Sequence, residues 1–539
     1  MKRMKSLVIL LLVITVVFGL AACSSNSNNS ANESNGASNQ PATTNNGDST
    51  AEPSKAAQDA IDTSKFVTIN YLMLGDKQTN GQLEKVMDKV NAILKEKVNA
   101  NLELKWIEWA DWQTKYNLAL ASGESLDLIT TGSDWLDTWP NAQKGAFLPL
   151  DDLLPKYAPL TWNDVPAGDW DQTKYKNQIV MIPENDFTQW VNHGFFYRGD
   201  WAKEVGITEP IKDFETMGKY MQGVKDLKGI IPYDTQSAQW TPTEGYFISN
   251  TDAISLRIST GFLPMFYGKS YDDKYTAYSP VFDDVFVDFA KLMKQWGDNG
   301  YWREDVLNYK GDTRSLLKAG QTGVDQHHTQ TFSTLRLEMD EQQPGSDLQM
   351  FAYATTRGNL VKEPITHGAT SLGAHSKNPE RALMVYDLLR NDEEIYRLMN
   401  YGIEGVQYEI RDGKWYRPGG YDQTRDSVAT NFWGGRVDKF QIPSGKDWDG
   451  MKTIYEAYDK IAKPFPYGRF VFDKTSVQAE LAAISQVSAQ FGPAISWGKA
   501  GDPVKAVENL RSKLKAAGFD KVMAEIQKQL DAYKQLVEG

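Results

Sequence analysis

The sequence predicts an α/β protein built as two lobes. Three observations carry that expectation: a chain too long for one core, a strand–helix alternation where its folded part begins, and a composition that can fill two cores. At 539 residues the chain exceeds what a single hydrophobic core usually serves. Hydrophobic residues make up 41%, charged residues 24% and aromatic residues 12%. That balance suits a globular body and excludes both a polytopic membrane protein and wholesale disorder.

The alternation starts at Phe66. Residues 66–72 alternate as a strand; Leu83, Val86, Val90, Ile93, Leu94 and Val98 recur at helical spacing; Leu102, Leu104 and Trp106 alternate again. Trp112 to Ala121 reads as a second helix closed by Gly123, and Leu126 to Ile129 as a short apolar strand. Such a βαβαβ run implies a parallel sheet whose strand C-terminal ends face a ligand crevice. The segment after Ile129 is therefore expected to touch ligand through Ser133, Asp134 and Trp135, the alternative being a plain loop with Trp135 packed on Trp139. Gly194 to Arg198 reads as a strand leading into a short helix that stops at Gly206, and Ala369 to Leu372 as another strand. After it, Ser376 or Asn378 can cap a helix with Pro379 at its first position. Near the C-terminus, Val504 to Leu514 and Val522 to Leu536 give two amphipathic helices.

Charge and cysteine content narrow the function. Asp plus Glu number 70 against 58 Lys plus Arg, so an unspecific clamp on nucleic acid is excluded. The sole cysteine, Cys23, rules out an intrachain disulfide framework and a cysteine-based metal cluster. Lys2, Arg3 and Lys5 precede an apolar run from Leu7 to Ala22, the pattern of an export signal and too short for a membrane span. Leu20-Ala21-Ala22-Cys23 resembles the bacterial lipobox, which implies signal removal over 1–22 and acylation of Cys23, hence a lipid-anchored protein on the extracytoplasmic face of the cell membrane. The mature chain then has a net charge of -15. Residues 23–65, rich in Ser, Asn, Ala and Thr, read as a disordered tether. Such a coil has an end-to-end distance of roughly 35 Å.

The segments FFYRGDWAKEVGI, SKNPERALMVYDLL and NYGIEGVQYE, together with YGRFVFDKTSVQAELAAISQV and LKAAGFDKVMAEIQKQLDAY, resemble the extracellular solute-binding lipoproteins of bacterial ABC importers, of the aldouronate-type or LipO-like kind. The resemblance spans about 66–539. It implies a two-lobed periplasmic-binding-protein-like clamp, type II-like, with a hinge between lobes. Lobe 1 is expected over 66–182 and 366–430, and lobe 2 over 183–365 and 431–539. It also implies a monomer that captures an oligosaccharide, uronate-bearing in one version, and delivers it to the permease subunits. No cofactor and no catalysis are expected. A peptide or other solute, and a surface glycan-degrading enzyme, are the competing readings.

Motifs for chemistry fail on inspection. Gly268-Lys269-Ser270 lacks the glycine that a phosphate loop needs, since Leu263 stands there. Ala369 to Gly373 approximates a nucleophile elbow, yet the only later histidine is His375, four residues away from Ser371. The five histidines show no metal-binding spacing, and Asp272, Asp273, Asp283 and Asp284 fit no calcium loop, so no metal is expected.

Sugar recognition needs aromatic rings beside polar side chains. Trp106, Trp109 and Trp112 lie around a strand–helix junction and are expected in the core. Gln189 with Trp190, Trp240, and Trp433 stand in loops and are candidate ligand contacts. By the resemblance, Gln326 and His327, with Asp325, sit where a strand end meets ligand. Glu404, between two glycines, either bonds ligand or fixes its turn. A uronate would want a guanidinium, with Arg198, Arg257, Arg357 and Arg436 as candidates.

Overall fold

A computed structural model describes residues 61–110, 112–184, 193–238 and 241–538. Cys23, Gln189, Trp190 and Trp240 lie outside the described residues. Asp62 to Gly539 forms one compact unit, and within it two lobes are organised around two sheets and separate cores. Among the described residues no helix is long and apolar enough to cross a membrane.

The first lobe opens with β1 (Val67–Leu74), α1 (Gln82–Val98), β2 (Ala100–Ile107), α2 (Trp112–Ala121) and β3 (Leu128–Thr131). β1 pairs in parallel with both β2 and β3, so the helical crossovers bring the C-terminal ends of all three strands to one edge. α1 buries Val86, Val90 and Leu94 against β1 and β2, the stripe its 3.6-residue period prepares. β4 (Ile182–Pro183) ends this pass.

In the second lobe, β5 (His193–Arg198) is the centre of an antiparallel three-stranded sheet. The lobe continues through α3 (Thr241–Asn250), β6 (Val324–His328), α4 (Thr329–Gln342) and β7 (Leu348–Ala352). β6 and β7 flank β5, with His327 opposite Gly194 and His328 opposite His193. Its core is aromatic: Phe195, Phe214, Trp296, Phe351 and Tyr353 pack edge-on or stacked.

The chain returns to the first lobe at β8 (Ala369–Leu372), which pairs antiparallel with both β3 and β4 and completes a sheet of order β2-β1-β3-β8-β4. α5 (Pro379–Asn391) and α6 (Glu393–Tyr401) cover it. The stretch from 431 to 442 stays with the first lobe, where the sequence reading assigned it to the second. Phe432 packs on Tyr71 and Tyr386, the Tyr396 hydroxyl donates to the Val437 carbonyl, and the Ile442 N–H donates to the Tyr401 hydroxyl. Finally, α7 (Gln478–Ser496), α8 (Pro503–Ala516) and α9 (Phe519–Glu538) pack on the second lobe's core through Ile484, Leu510 and Ile526.

Candidate functional site

The C-terminal edge of the first sheet faces the second lobe, and the residues after β3 line a cavity between them. Ser133, Asp134 and Trp135 form one wall; Arg257, Phe465 and Tyr467 belong to the other. The loop after β3 is held by the segment entering β8. The Ser133 N–H donates to the Thr366 carbonyl at 2.9 Å, the Ser133 and Thr366 hydroxyls lie 2.5 Å apart, and the Trp135 indole N–H donates to the His367 carbonyl at 2.6 Å. Gly132 permits this fold-over, because a Cβ there would stand 2.3 Å from Trp135 Nε1 and 2.6 Å from the His367 oxygen.

Four tryptophans gather here. Trp109 stacks on Trp433 with centroids 5.7 Å apart, Trp112 lies 5.7 Å from Trp135, and Trp135 lies 6.2 Å from Trp433. Trp109 is 41% exposed and Trp112, Trp135 and Trp433 are half-buried. The expectation that Trp109 and Trp112 are core residues is therefore corrected. β2 ends at Ile107, so Trp109 falls on the turn into α2 and Trp112 on the first residue of α2, half-buried against the Leu120 and Ile129 cluster. Trp433 is placed by the turn behind it. The Tyr386 hydroxyl donates to the Gly434 carbonyl at 2.6 Å. A Cβ on Gly434 would stand 2.4 Å from the Ala369 oxygen.

An ionic relay runs beside the tryptophans. His367 Nδ1 lies 2.9 Å from Asp134 and 3.7 Å from Glu363, and Arg257 Nη2 donates to Glu363 at 2.9 Å. The Asp134 and Glu363 side chains are 4% and 3% exposed. Glu184, after β4, accepts from the Gly368 N–H at 3.0 Å. Burial pushes the Glu184 carboxyl up to about 8, against the pull of His367 and Arg436. Burial also raises Glu363, opposed by Arg257. Asp134 goes the other way: burial works against its charge, but the His367 imidazolium overrides it and holds the carboxyl below the usual range. Burial alone would depress His367; Asp134, Glu363 and Glu184 together raise it to about 9.

Asp134, Glu363 and His367 offer ligand atoms within 4.8 Å of one another, the spacing of a metal site. The sequence reading saw no histidine-centred metal spacing because the three are brought together only by the fold. Here the His367 ring nitrogen Nδ1 is engaged with Asp134 and the Arg257 guanidinium with Glu363 Oε1, while Glu363 Oε2 has no hydrogen-bond partner among the described residues.

A second polar group lies where β5 meets β6. The His193, His327 and His328 rings stand 4.3 to 5.7 Å apart. Burial depresses all three, His327 to about 4 and His328 to about 3, so they are neutral near pH 7. His328 Nδ1 accepts from the Thr331 N–H at 3.2 Å and caps α4, leaving its proton on Nε2.

The fold thus brings Ser133, Asp134, Trp135 and Trp433 together, with the polar atoms of the first three tying down the β8 entry. His327 joins the histidine group, and Gln326 is buried within β6. Two expectations are corrected. Arg198 sits at the opposite end of β5 from His193, roughly 17 Å along the strand. It pairs bidentately with Asp200 and covers the Trp201 ring. Glu404 is exposed on its turn, where Gly405 bonds back to Tyr408, and it touches none of the relay residues. Of the other guanidinium candidates, Arg357 pairs with Asp252 on the surface, Arg257 lines the cleft and Arg436 acts on Glu184. Glu184, Glu363 and His367 escaped the sequence reading, since no local spacing marks them.

The profile of bacterial extracellular solute-binding proteins matches residues 89–403, and that of a domain of unknown function (DUF3502) matches residues 466–535. A carbohydrate ABC transporter substrate-binding protein of Streptococcus pneumoniae serotype 4 is 24% identical, covering 88% of this chain and 92% of its own. Lipoprotein LipO of Bacillus subtilis is 22% identical over 58% of this chain and 62% of its own. Among solved structures, an N-glycan transport solute-binding protein from Streptococcus pneumoniae superposes with a TM-score of 0.72 at 21% identity, covering 87% of this chain and 99% of that one. An alginate-binding protein gives 0.62 at 20% identity, covering 87% and 98%. At these identities the superpositions establish a shared two-lobed fold.

Proposed function

This chain belongs to the bacterial extracellular solute-binding proteins, and from that premise we propose that it captures an oligosaccharide between its lobes and passes it, uncut, to the membrane subunits of an ABC importer. One observation carries the reading: the half-exposed tryptophans at the C-terminal edge of the first sheet, set beside a hydrogen-bonding relay that faces the second lobe. Sugar rings present apolar C–H faces that stack on indoles and hydroxyl edges that bond to carboxyl and imidazole groups. The relatives whose names mention carbohydrate or N-glycan transport support the same solute class.

The work done is a population shift. Ligand that touches both lobes binds the closed arrangement more tightly than the open one, and the closed surface is what the permease reads. Acylated Cys23 anchors the monomer to the membrane, and residues 23–65 give the head its reach. The test is a thermal-shift screen of the full chain against oligosaccharides and peptides, with mass analysis of the recovered ligand. A raised Tm with intact oligosaccharide is the expected result. A response to peptides alone would discard the sugar assignment, and a shortened glycan would make the protein an enzyme.

A further inference from the structure

A side cavity opens in the second lobe next to the cleft, and the capture of a glycan on the tryptophans does not use it. Ile254 and Phe465 give it apolar wall; Glu244, Arg257, Tyr267 and His193 give it polar wall. Tyr267 is 1% exposed, and its phenol oxygen has no hydrogen-bond partner among the described residues. His193 Nδ1 is likewise buried and unpaired. Leaving a buried polar atom unbonded costs about 1–3 kcal/mol, so two such atoms in one cavity mark where ligand atoms complete the bonding. Arg257, which lines the same cavity, has a left-handed backbone, φ 55, a conformation that non-glycine residues keep chiefly where the surroundings impose it.

The charges around the cavity decide what can enter. The Arg257 guanidinium is already paired with Glu363 at 2.9 Å, and Glu244 and Asp134 also act on it. Burial raises the Glu244 carboxyl, the mark of a wall that resists negative charge. A ligand carboxylate here would meet three carboxyl groups and a cation already taken. Lys474 lines the neighbouring cleft but not this cavity. A hydroxyl or amide brings no charge and can both donate and accept towards Tyr267, His193 and Glu244.

We propose that this cavity is the subsite for an uncharged, hydroxyl- or amide-bearing end group of the ligand, and that it makes the protein select neutral oligosaccharides over uronate-bearing ones. The proposal rests on the glycan-capture reading above and sharpens its solute class.

The test is calorimetric titration of the full chain with neutral trisaccharides (gluco-, manno- and galacto-configured) and with the same compounds oxidised to uronates at C6, on the native protein and on Tyr267→Phe. The expected result is binding of at least one neutral compound, at least tenfold weaker binding of its oxidised partner, and a loss of threefold or more in Tyr267→Phe at a ligand-free Tm equal to or above the native one. An oxidised partner that binds as well or better overturns the proposal while leaving glycan capture intact. So does a Tyr267→Phe protein with native affinity. If every saccharide is silent, glycan capture and the subsite fall together.

Discussion

Raising the pH from 6.5 to 9.5 is expected to weaken the fold through the His367 imidazole and the two buried carboxyls beside it. The His367 side chain is 19% exposed with Nδ1 2.9 Å from Asp134. Burial alone would depress it, but Asp134, Glu363 and Glu184 raise it from 6.5 to about 9. A folded-state value above the unfolded one means that the folded protein keeps a proton which the unfolded chain has released. The stability from this pair is therefore complete below pH 6.5 and is lost as the pH rises through 9. The difference between 6.5 and about 9 corresponds to roughly 3 kcal/mol. Asp134, held below the ordinary range, stays charged throughout and adds no slope of its own. Glu184 and Glu363, both pushed up to about 8 by burial, add to the loss: each keeps a proton that the unfolded chain has released, so their share accrues as the pH rises to about 8. With an unfolding entropy of about 2.1 cal/mol/K per residue, a unit of this size moves about 1 °C per kcal/mol, so Tm is expected to fall by roughly 3 °C on account of His367. The assay is thermal unfolding of the full chain in steps from pH 6 to 9.5, beside His367→Gln, which keeps a donor for Asp134 but cannot titrate. The variant should lose the His367 share of the native slope, the share that dominates between 8 and 9, and keep the share of Glu184 and Glu363. A native profile that stays flat or rises, or a variant with the native slope, would refute the reasoning.

Trp109→Ala should abolish most oligosaccharide binding, read by calorimetry, while changing Tm by under about 2 °C, because the ring is 41% exposed and supports no core. Arg198→Ala should do the reverse: it removes a nearly buried bidentate partner of Asp200, costs roughly 3 kcal/mol in denaturant unfolding and leaves the dissociation constant unchanged. Gly434→Ala forces a methyl group against the Ala369 carbonyl, so a loss of about 1–3 kcal/mol and displaced Trp433 fluorescence are expected. Cys23→Ser should move the protein from the membrane fraction to the soluble fraction on cell fractionation.

How much of this was legible in the sequence depends on whether a feature is written locally. The β1-α1-β2-α2-β3 run is, because each apolar stripe has a period of its own, and that run places the segment after Ile129 at the C-terminal edge of the sheet. The antiparallel sheet of the second lobe is not: β5 was readable, but β6 and β7 join it from more than 100 residues downstream, and nothing in their own patterns states the partner. The 431–442 stretch belongs to the first lobe through distant anchors, Phe432 between Tyr71 and Tyr386 and the Tyr396 and Tyr401 hydroxyls on Val437 and Ile442, and no periodicity announces them. Trp109 was misread for a related reason. One residue of register separates a ring under a sheet from a ring over its edge, and only the end of β2 at Ile107 decides between them. The Arg198–Asp200 pair, two positions apart, could be suspected from sequence; the Asp134–His367 pair, separated by 233 positions, could not. Place was thus written in the hydrophobic pattern, whereas the chemistry of the cleft was written in the topology. Glu184, Glu363 and His367 acquire their perturbed acidities only when β8 is laid between β3 and β4. The first lobe's sheet order is therefore itself a functional feature. A strand order that separated β8 from β3 would leave every residue of the relay in the chain and none of them facing its partner.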